Sequence, residues 1–305
     1  MPCTRPLRGY RSKDLNNSGK RSIVFNQNEG CPDLPPVDLN CGQCTYCRVE
    51  KSRKWAVRCM HEASLYDANS FITLTYAPEH LPPHNSLNHR DFQLFMKRLR
   101  KQLAPRTIRY FMCGEYGEKY SRAHYHACIF NYDFPDKKLV KQEGENQYYD
   151  SPELTDLWEK GKTQVGNLTF KSAAYVARYI TKKITGPDAW QAYQNIDLST
   201  GEILAERTPE YAQPSRGPGI GKGFYLKHKG DLYPSDFIIV NGVKQKIPKF
   251  YDKIFEHEHP DEHEYVVEKR KILTQTKAKV PHERLMTIEE IQDLKLVQLK
   301  RGYEK

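Results

Sequence analysis

The sequence predicts an α+β fold, a central antiparallel sheet with flanking helices, on three observations. Segment 70–76, Ser-Phe-Ile-Thr-Leu-Thr-Tyr, is rich in β-branched and aromatic residues and stops near Pro78, as a strand does. Segments 107–113 and 124–130 are two further strand candidates, joined by Gly114-Glu115-Tyr116-Gly117 and a polar turn, which together read as a hairpin. The order strand, helix, hairpin, helix suits an antiparallel sheet with helices on one face better than a doubly wound parallel sheet.

The elements follow in chain order. Residues 1–40, rich in Gly, Pro, Asn and Ser, read as an irregular arm. A helix is expected over about Arg48–Leu65, then the strand at 70–76. Phe92, Phe95, Met96, Leu99 and Leu103 keep helical spacing, and Asn88 with Asp91 three residues later resembles a capped helix start. After the hairpin, Ser172–Ile184 reads as a helix with Ser172 as its cap and Gly186-Pro187 as its stop. Beyond Asp188 the signal weakens into a Gly/Pro-rich loop, 214–221, and a final helix over about Arg284–Arg301. This gives an N-terminal arm with a cysteine cluster and a basic helix (1–65), a core (66–190) and a C-terminal extension, partly irregular (191–305).

The chain has 305 residues, 38% of them hydrophobic and 11% aromatic, enough for a real core and unlike a disordered protein. No apolar run approaches the ~20 residues of a bilayer span, and the basic N-terminus lacks the apolar stretch of a secretory signal, so a cytoplasmic location is expected. Forty-eight Lys and Arg against 38 Asp and Glu give a net charge of +10, which points to a polyanion such as nucleic acid.

That charge is uneven. Residues 86–109 hold seven basic residues against the single acid Asp91, and 169–186 holds four with no acid. Residues 250–268 hold seven acids against Lys253. One basic stretch alone is ordinarily a solvated helix face, but two that flank candidate catalytic residues are harder to read so. Lys97, Arg98 and Lys101 in the first, Lys171 and Lys183 in the second, and Arg216 in the Gly/Pro loop are the candidate DNA contacts. His257, His259 and His263, set among acids, read as a solvated, partly disordered surface.

His124-Tyr125-His126 lies in a strand candidate, where period-two alternation puts both imidazoles on one face and lets them grip one divalent ion. Glu115, nine residues upstream near the end of the partner strand, can fold back toward them and complete a His₂Glu set with open positions. On the following helix, Val176, Ile180 and Ile184 form an inward stripe, and Tyr175, Arg178, Tyr179 and Lys182 form the stripe beside it. A free phenol, with a pKa near 10, is about one part in a thousand ionised at neutral pH; neighbouring cations and a metal-bound phosphate favour the phenolate, which makes a tyrosine a nucleophile. The competing reading is a core helix with ordinary amphipathic tyrosines.

Cys41-Gly42-Gln43-Cys44-Thr45-Tyr46-Cys47 presents three thiols at zinc-knuckle spacing, with Cys3, Cys31, Cys59 and His61 as candidates for a fourth ligand. A structural zinc, an iron–sulfur cluster and reduced thiols packed under a loop remain the alternatives, and the iron–sulfur spacing fits least well.

Three motifs in order, Phe71-Ile72-Thr73-Leu74-Thr75, then Glu115 with His124-Tyr125-His126, then Tyr175-Val176-Ala177-Arg178-Tyr179-Ile180-Thr181-Lys182, resemble motifs I, II and III of the HUH endonucleases, the rolling-circle replication initiators. More narrowly, Cys41-Gly42-Gln43-Cys44, Arg58-Cys59-Met60-His61-Glu62-Ala63 and Phe111-Met112-Cys113-Gly114-Glu115-Tyr116-Gly117 resemble the replication initiators of gokushovirus-type Microviridae, over roughly residues 1 to 250. The resemblance implies an HUH endonuclease-like sheet over 66–190 and a tyrosine transesterification of single-stranded phage origin DNA. It implies a 5′-phosphotyrosine link and a free 3′-hydroxyl primer. It assigns Tyr175 and Tyr179 as nucleophiles, Arg178 and Lys182 as their cations, and His124, His126 and Glu115 as ligands of Mg²⁺ or Mn²⁺. Arg178 stands where that family usually carries lysine. A host polymerase and helicase in a bacterial cytoplasm are the implied partners. The alternatives are a relaxase or single-strand transposase of the same superfamily, and a non-catalytic zinc-containing nucleic-acid-binding protein.

Overall fold

The computed structural model describes residues 3–17, 19–117, 120–182, 189–197, 199–240, 242–275 and 280–298. In chain order, strands β1 (Leu7–Leu15), β2 (Arg21–Val24) and β3 (Val37–Leu39) precede helix α1 (Thr45–Ala63). Strand β4 (Asn69–Thr75), helix α2 (His89–Leu103) and strands β5 (Arg109–Tyr116), β6 (Ala123–Phe130), β7 (Lys138–Glu143) and β8 (Asn146–Asp150) follow. Next come α3 (Pro152–Trp158), β9 (Thr163–Asn167), α4 (Phe170–Lys182), α5 (Ala189–Ala192), β10 (Gln194–Ile196), β11 (Ile203–Glu206) and β12 (Tyr211–Pro214). The chain ends with α6 (Lys222–Ser235), β13 (Ile238–Val240), β14 (Val243–Gln245), α7 (Lys249–Glu258), α8 (Pro260–Gln275) and α9 (His282–Gln298).

Two compact units divide the chain, residues 1–50 with 277–301, and residues 51–276 with 302–305; the boundary falls within α1. In the first unit β1 pairs antiparallel with both β2 and β3, so the arm expected to be irregular forms a small sheet. The signal was hidden because β1, Leu-Arg-Gly-Tyr-Arg-Ser-Lys-Asp-Leu, is almost wholly exposed and has no apolar alternation to read.

The second unit is built on a seven-stranded sheet of order β12-β5-β6-β4-β9-β8-β7, every neighbouring pair antiparallel. Helices cover both of its faces rather than the one expected. On one face Ile72, Leu74, Tyr125, Ala127 and Ile129 meet Phe92, Phe95, Met96 and Leu99 of α2 and Leu154, Leu157 and Trp158 of α3. On the other, Phe71, Phe111, Cys113, Cys128 and Phe130 meet Ala56, Cys59 and Ala63 of α1 and Ala173, Val176 and Ala177 of α4. Each large side chain so buried contributes about 1.5–3 kcal/mol. A sheet covered on both faces explains why β5 and β6 read as nearly continuous apolar runs.

Local signals set the element ends. Asn88 caps α2, its side chain accepting from the Arg90 N–H. The expected cap Ser172 lies within the first turn of α4; Thr169 holds the start instead, accepting from the Ser172 N–H at 3.2 Å while its own N–H donates to Ser172 Oγ at 2.8 Å. The proposed stop, Gly186-Pro187, lies outside the described residues. Gly161, at φ +144°, passes so close to β4 that a Cβ there would stand 2.2 Å from the Ala77 nitrogen, which only glycine permits. The Gly/Pro loop before α6 is tied down by Glu62, wholly buried, which accepts from the Gly221 N–H at 2.7 Å and pairs with Arg109 at 2.7 Å. The histidine-rich acidic stretch, expected to be partly disordered, is helical in α7 and α8. No helix of the described residues is long and apolar enough to cross a membrane.

Candidate active site

The site grows out of strand register. The hairpin turn was expected at 114–117, but β5 continues through Tyr116, so Glu115 lies directly opposite His124 on β6. His126 lies between Cys113 of β5 and Thr73 of β4. With period-two alternation, Glu115, His124, His126 and Thr73 all face the α1 and α4 side of the sheet.

Glu115 Oε1 stands 2.9 Å from His124 Nε2 and 2.8 Å from His126 Nε2. The far ring nitrogens are held too: His124 Nδ1 lies 3.0 Å from the Arg122 carbonyl, which only accepts, and His126 Nδ1 lies 2.9 Å from Thr73 Oγ1. These outer partners fix both rings with Nε2 toward the carboxylate, as the outer partners of metal-ligating histidines do. The three ligand atoms lie within 4.8 Å of one another, a grouping able to hold a metal ion. Glu115 is completely buried; burial alone would raise its pKa, but the hydrogen bonds and charges of His124 and His126 hold it down at about 2.

Helix α4 brings a phenol to this point. Tyr175 is 2% exposed, so it belongs to the buried face with Val176 rather than to a separate stripe beside it. Its ring meets His126 edge-on at 5.0 Å between centroids, and its hydroxyl donates to Glu115 Oε1 at 3.3 Å. The Arg178 guanidinium lies 5.7 Å from the centre of the Tyr175 ring. Ser52 Oγ of α1 donates to the Ala174 carbonyl at 3.1 Å, which fastens the two helices of this face together. Tyr179 and Lys182 lie on α4 with side chains outside the described residues, and Lys183 lies outside them altogether.

The remaining candidates are dispersed. Lys97 and Lys101 are exposed on α2, whereas Arg98 donates to the Leu157 and Trp158 carbonyls at 2.8 and 3.2 Å and pairs with Glu159, so it closes the end of α3. Lys171 pairs with Glu145 at the surface. Arg216 lines a cavity of about 480 Å³ with His89, Gln93, Arg100, Tyr110 and Gln213, a basic lining without an acid, at the β12 edge of the sheet. Cys3, Cys41, Cys44 and Cys47 gather in the first unit, and their sulfurs also lie within 4.8 Å of one another. Of the other candidate fourth ligands, Cys59 is buried against the main sheet, and His61 stacks on Phe224.

Sequence reasoning overlooked Thr73 as the group that orients His126, and Arg100 and Tyr110 as walls of the basic cavity. The Thr73 hydroxyl was readable in principle, since a threonine among β-branched and apolar residues on the strand face shared with a histidine is a polar group that needs a partner.

A family model described as replication-associated protein ORF2/G2P matches residues 69–184, from β4 to just past α4, the span that carries the carboxylate, both imidazoles and Tyr175. The chain is 33% identical over 272 residues to replication-associated protein VP4 of Bdellovibrio phage phiMH2K, covering 86% of this chain and 79% of that one. It is 32% identical over 296 residues to replication-associated protein ORF2 of Spiroplasma virus 4, covering 88% and 86%. With replication-associated protein ORF4 of Chlamydia phage 1 the identity is 26%, over 70% of this chain and 52% of the relative. No solved structure matches the chain.

Proposed function

We propose that this chain, which belongs to the family of phage replication-associated proteins and serves replication initiation, does so by nicking and rejoining single-stranded origin DNA through tyrosine transesterification. One observation carries the reading: the Tyr175 hydroxyl reaches, at 3.3 Å, the same carboxylate oxygen on which both imidazoles converge. A nucleophile and a cation-binding set thus meet at one point, within the span the family model matches.

In this reading the phenolic oxygen attacks the phosphorus of one phosphodiester. The bond from phosphorus to the 3′-oxygen breaks, that oxygen takes up a proton, and the 5′-phosphate stays esterified to the tyrosine. The 3′-hydroxyl is the primer a host polymerase extends. His124, His126 and Glu115 would hold Mg²⁺ or Mn²⁺, which suits a hard phosphate oxygen and when bound polarises the scissile phosphate. The protein's own contribution is positional: Glu115 holds the Tyr175 hydroxyl at the site, and the Arg178 guanidinium lies beside the ring, a cation that can meet the phosphate. Tyr179, four residues on, is one helical turn away, so a second phenol can cut the regenerated origin while the first end is resealed. Lys182 stands three residues after Tyr179, as Arg178 does after Tyr175, so each phenol has a cation to meet the phosphate.

The nuclease core is assigned to residues 66–190. Lys97, Lys101 and Lys171 lie on its exposed surface, and Arg216 lines the basic cavity at its sheet edge; they are the proposed contacts to the DNA backbone. The reaction belongs in the cytoplasm of a bacterial host, where a polymerase and a helicase are available.

The test mixes purified protein, Mn²⁺ and end-labelled single-stranded phage-origin DNA, and looks for a covalent adduct on a denaturing gel. The adduct is expected, and chelation of divalent ions removes it. The double variant Tyr175→Phe, Tyr179→Phe abolishes it; an adduct that persists in that variant identifies another nucleophile and overturns the proposal.

A further inference from the structure

The first unit lacks what the second has. The three large apolar clusters draw all their members from residues 55 to 266, within the second unit. Among the described residues of the first unit the cluster is Cys3, Cys44 and Cys47, with Cys41 and Tyr46 packed against it. Several larger apolar side chains of this unit face outward, Leu7 45% exposed, Leu15 61% and Phe25 62%, while Leu285 is buried. A unit whose described residues gather so small an apolar cluster needs a staple, and disulfides, metals or oligomerisation are what small units use.

We infer that Cys3, Cys41, Cys44 and Cys47 bind a single zinc ion that serves as the core of the first unit. The sulfurs of Cys3 and Cys41 are 3.6 Å apart and those of Cys3 and Cys44 3.8 Å. A tetrahedron with zinc–sulfur bonds of about 2.3 Å has edges of about 3.8 Å, which these two separations match, and all four sulfurs lie within 4.8 Å of one another. They are far beyond the ~2.05 Å of a disulfide, and all four cysteines are free thiols. A cluster of several irons would spread its thiolates farther, and a hard cation such as Mg²⁺ would not select four sulfurs.

The backbone is shaped for the same task. The N–H groups of Gln43 and Cys44 donate to Cys41 Sγ at 3.4 and 3.2 Å, and the Cys41 N–H donates to Cys3 Sγ at 3.4 Å. These bonds hold the turn in which Gly42 takes φ +76° and keep the sulfurs facing one another. Cys47, in the first turn of α1, completes the set, so the ion ties the start of the chain to the start of α1. The fourth ligand left open by the sequence is therefore Cys3. Ligand binding of this kind is coupled to folding of the segment that supplies the ligands.

The full-length protein, purified under reducing conditions, is assayed for metal by mass spectrometry of the elements. One zinc per chain is expected, and exchange with Co²⁺ should give the charge-transfer absorption of a tetrathiolate. Cys44→Ser should bring zinc below half an equivalent, whereas Cys31→Ser and His124→Ala leave it at one, which separates this centre from the Glu115 site. Since Cys44→Ser can simply fail to fold, hydrogen exchange of the wild type is followed before and after chelation. Residues 3–50 should lose protection while β4, β5 and β6 keep theirs. Absence of zinc with residues 3–50 still protected, two disulfides among the four cysteines, or iron in place of zinc would each overturn the assignment.

Discussion

The two faces of β6 bury polar groups in opposite ways. On the α2 and α3 side, polar atoms are matched donor to acceptor: the Tyr125 hydroxyl donates to the Asn88 carbonyl at 2.8 Å and accepts from the Asn88 N–H at 2.9 Å, and Tyr76 donates to Asp91 at 2.8 Å. Burial pushes the Tyr125 phenol up to about 12, so it serves as a hydrogen-bonding strut. On the α1 and α4 side, one residue away in either direction, two imidazole nitrogens and a carboxylate oxygen converge, and a second phenol reaches in. Titratable groups converging on one point suit a cation, and hydroxyls matched donor to acceptor do not. Period-two alternation thus keeps chemistry and packing apart within eight residues of one strand.

The largest expected effect comes from the chemical face. His126→Ala should lower the rate of adduct formation per folded molecule by about 10²- to 10⁴-fold, since a bound ion supplies several kcal/mol of charge stabilisation to phosphoryl transfer. A variant that cuts at the wild-type rate would remove the difference between the faces. Leu99→Ala, on the packing face, should reverse the readouts: a loss of about 2–5 kcal/mol of folding stability in denaturant titration, with the rate per folded molecule unchanged.

Much of this separation was legible in the sequence, because alternation is a local property: His124 and His126 share a face for any strand through 124–130. Capping by Asn88 and the apolar stripe of α2 were legible for the same reason. What could not be read was non-local. Strand order places β4 beside β6 and so brings Thr73 to His126, and no local pattern encodes that neighbour. The edge strand β12, four residues ending in Pro214, is too short to show a period, yet it pairs with β5. The burial of Tyr175 depends on α4 rotating its phenol inward beside Val176, which the helical wheel alone left ambiguous. The small sheet β1–β3 was missed because exposed polar strands carry no hydrophobic signal.

A finer probe of the chemical face is Thr73→Val, which removes the hydroxyl against His126 Nδ1 with little change of shape. Isothermal titration with Mn²⁺ should show affinity weakened by about 10- to 100-fold. The smallest effect concerns an imidazole that is buried for packing. His61 stacks on Phe224 at 3.8 Å, and burial, with the nearby His228 charge, lowers its pKa to about 4. The unfolded chain therefore binds the proton more readily, so the stability due to this group is full above about pH 6.5 and is lost as the pH falls toward 4. Denaturant midpoints from pH 7 to 4 should fall less steeply in His61→Phe than in the wild type.

The central claim is that a phenol of α4 attacks a phosphate held at the cation set, beside which Tyr175 lies. Adduct formed with Mn²⁺ and origin DNA can be digested with nuclease and trypsin, and the peptide that retains a nucleotide located by mass spectrometry. The account predicts the nucleotide on the peptide Ser172–Arg178, which carries Tyr175, or on Tyr179–Lys182, which carries Tyr179. A nucleotide on any other peptide, or cleaved DNA with no peptide attached, would contradict it.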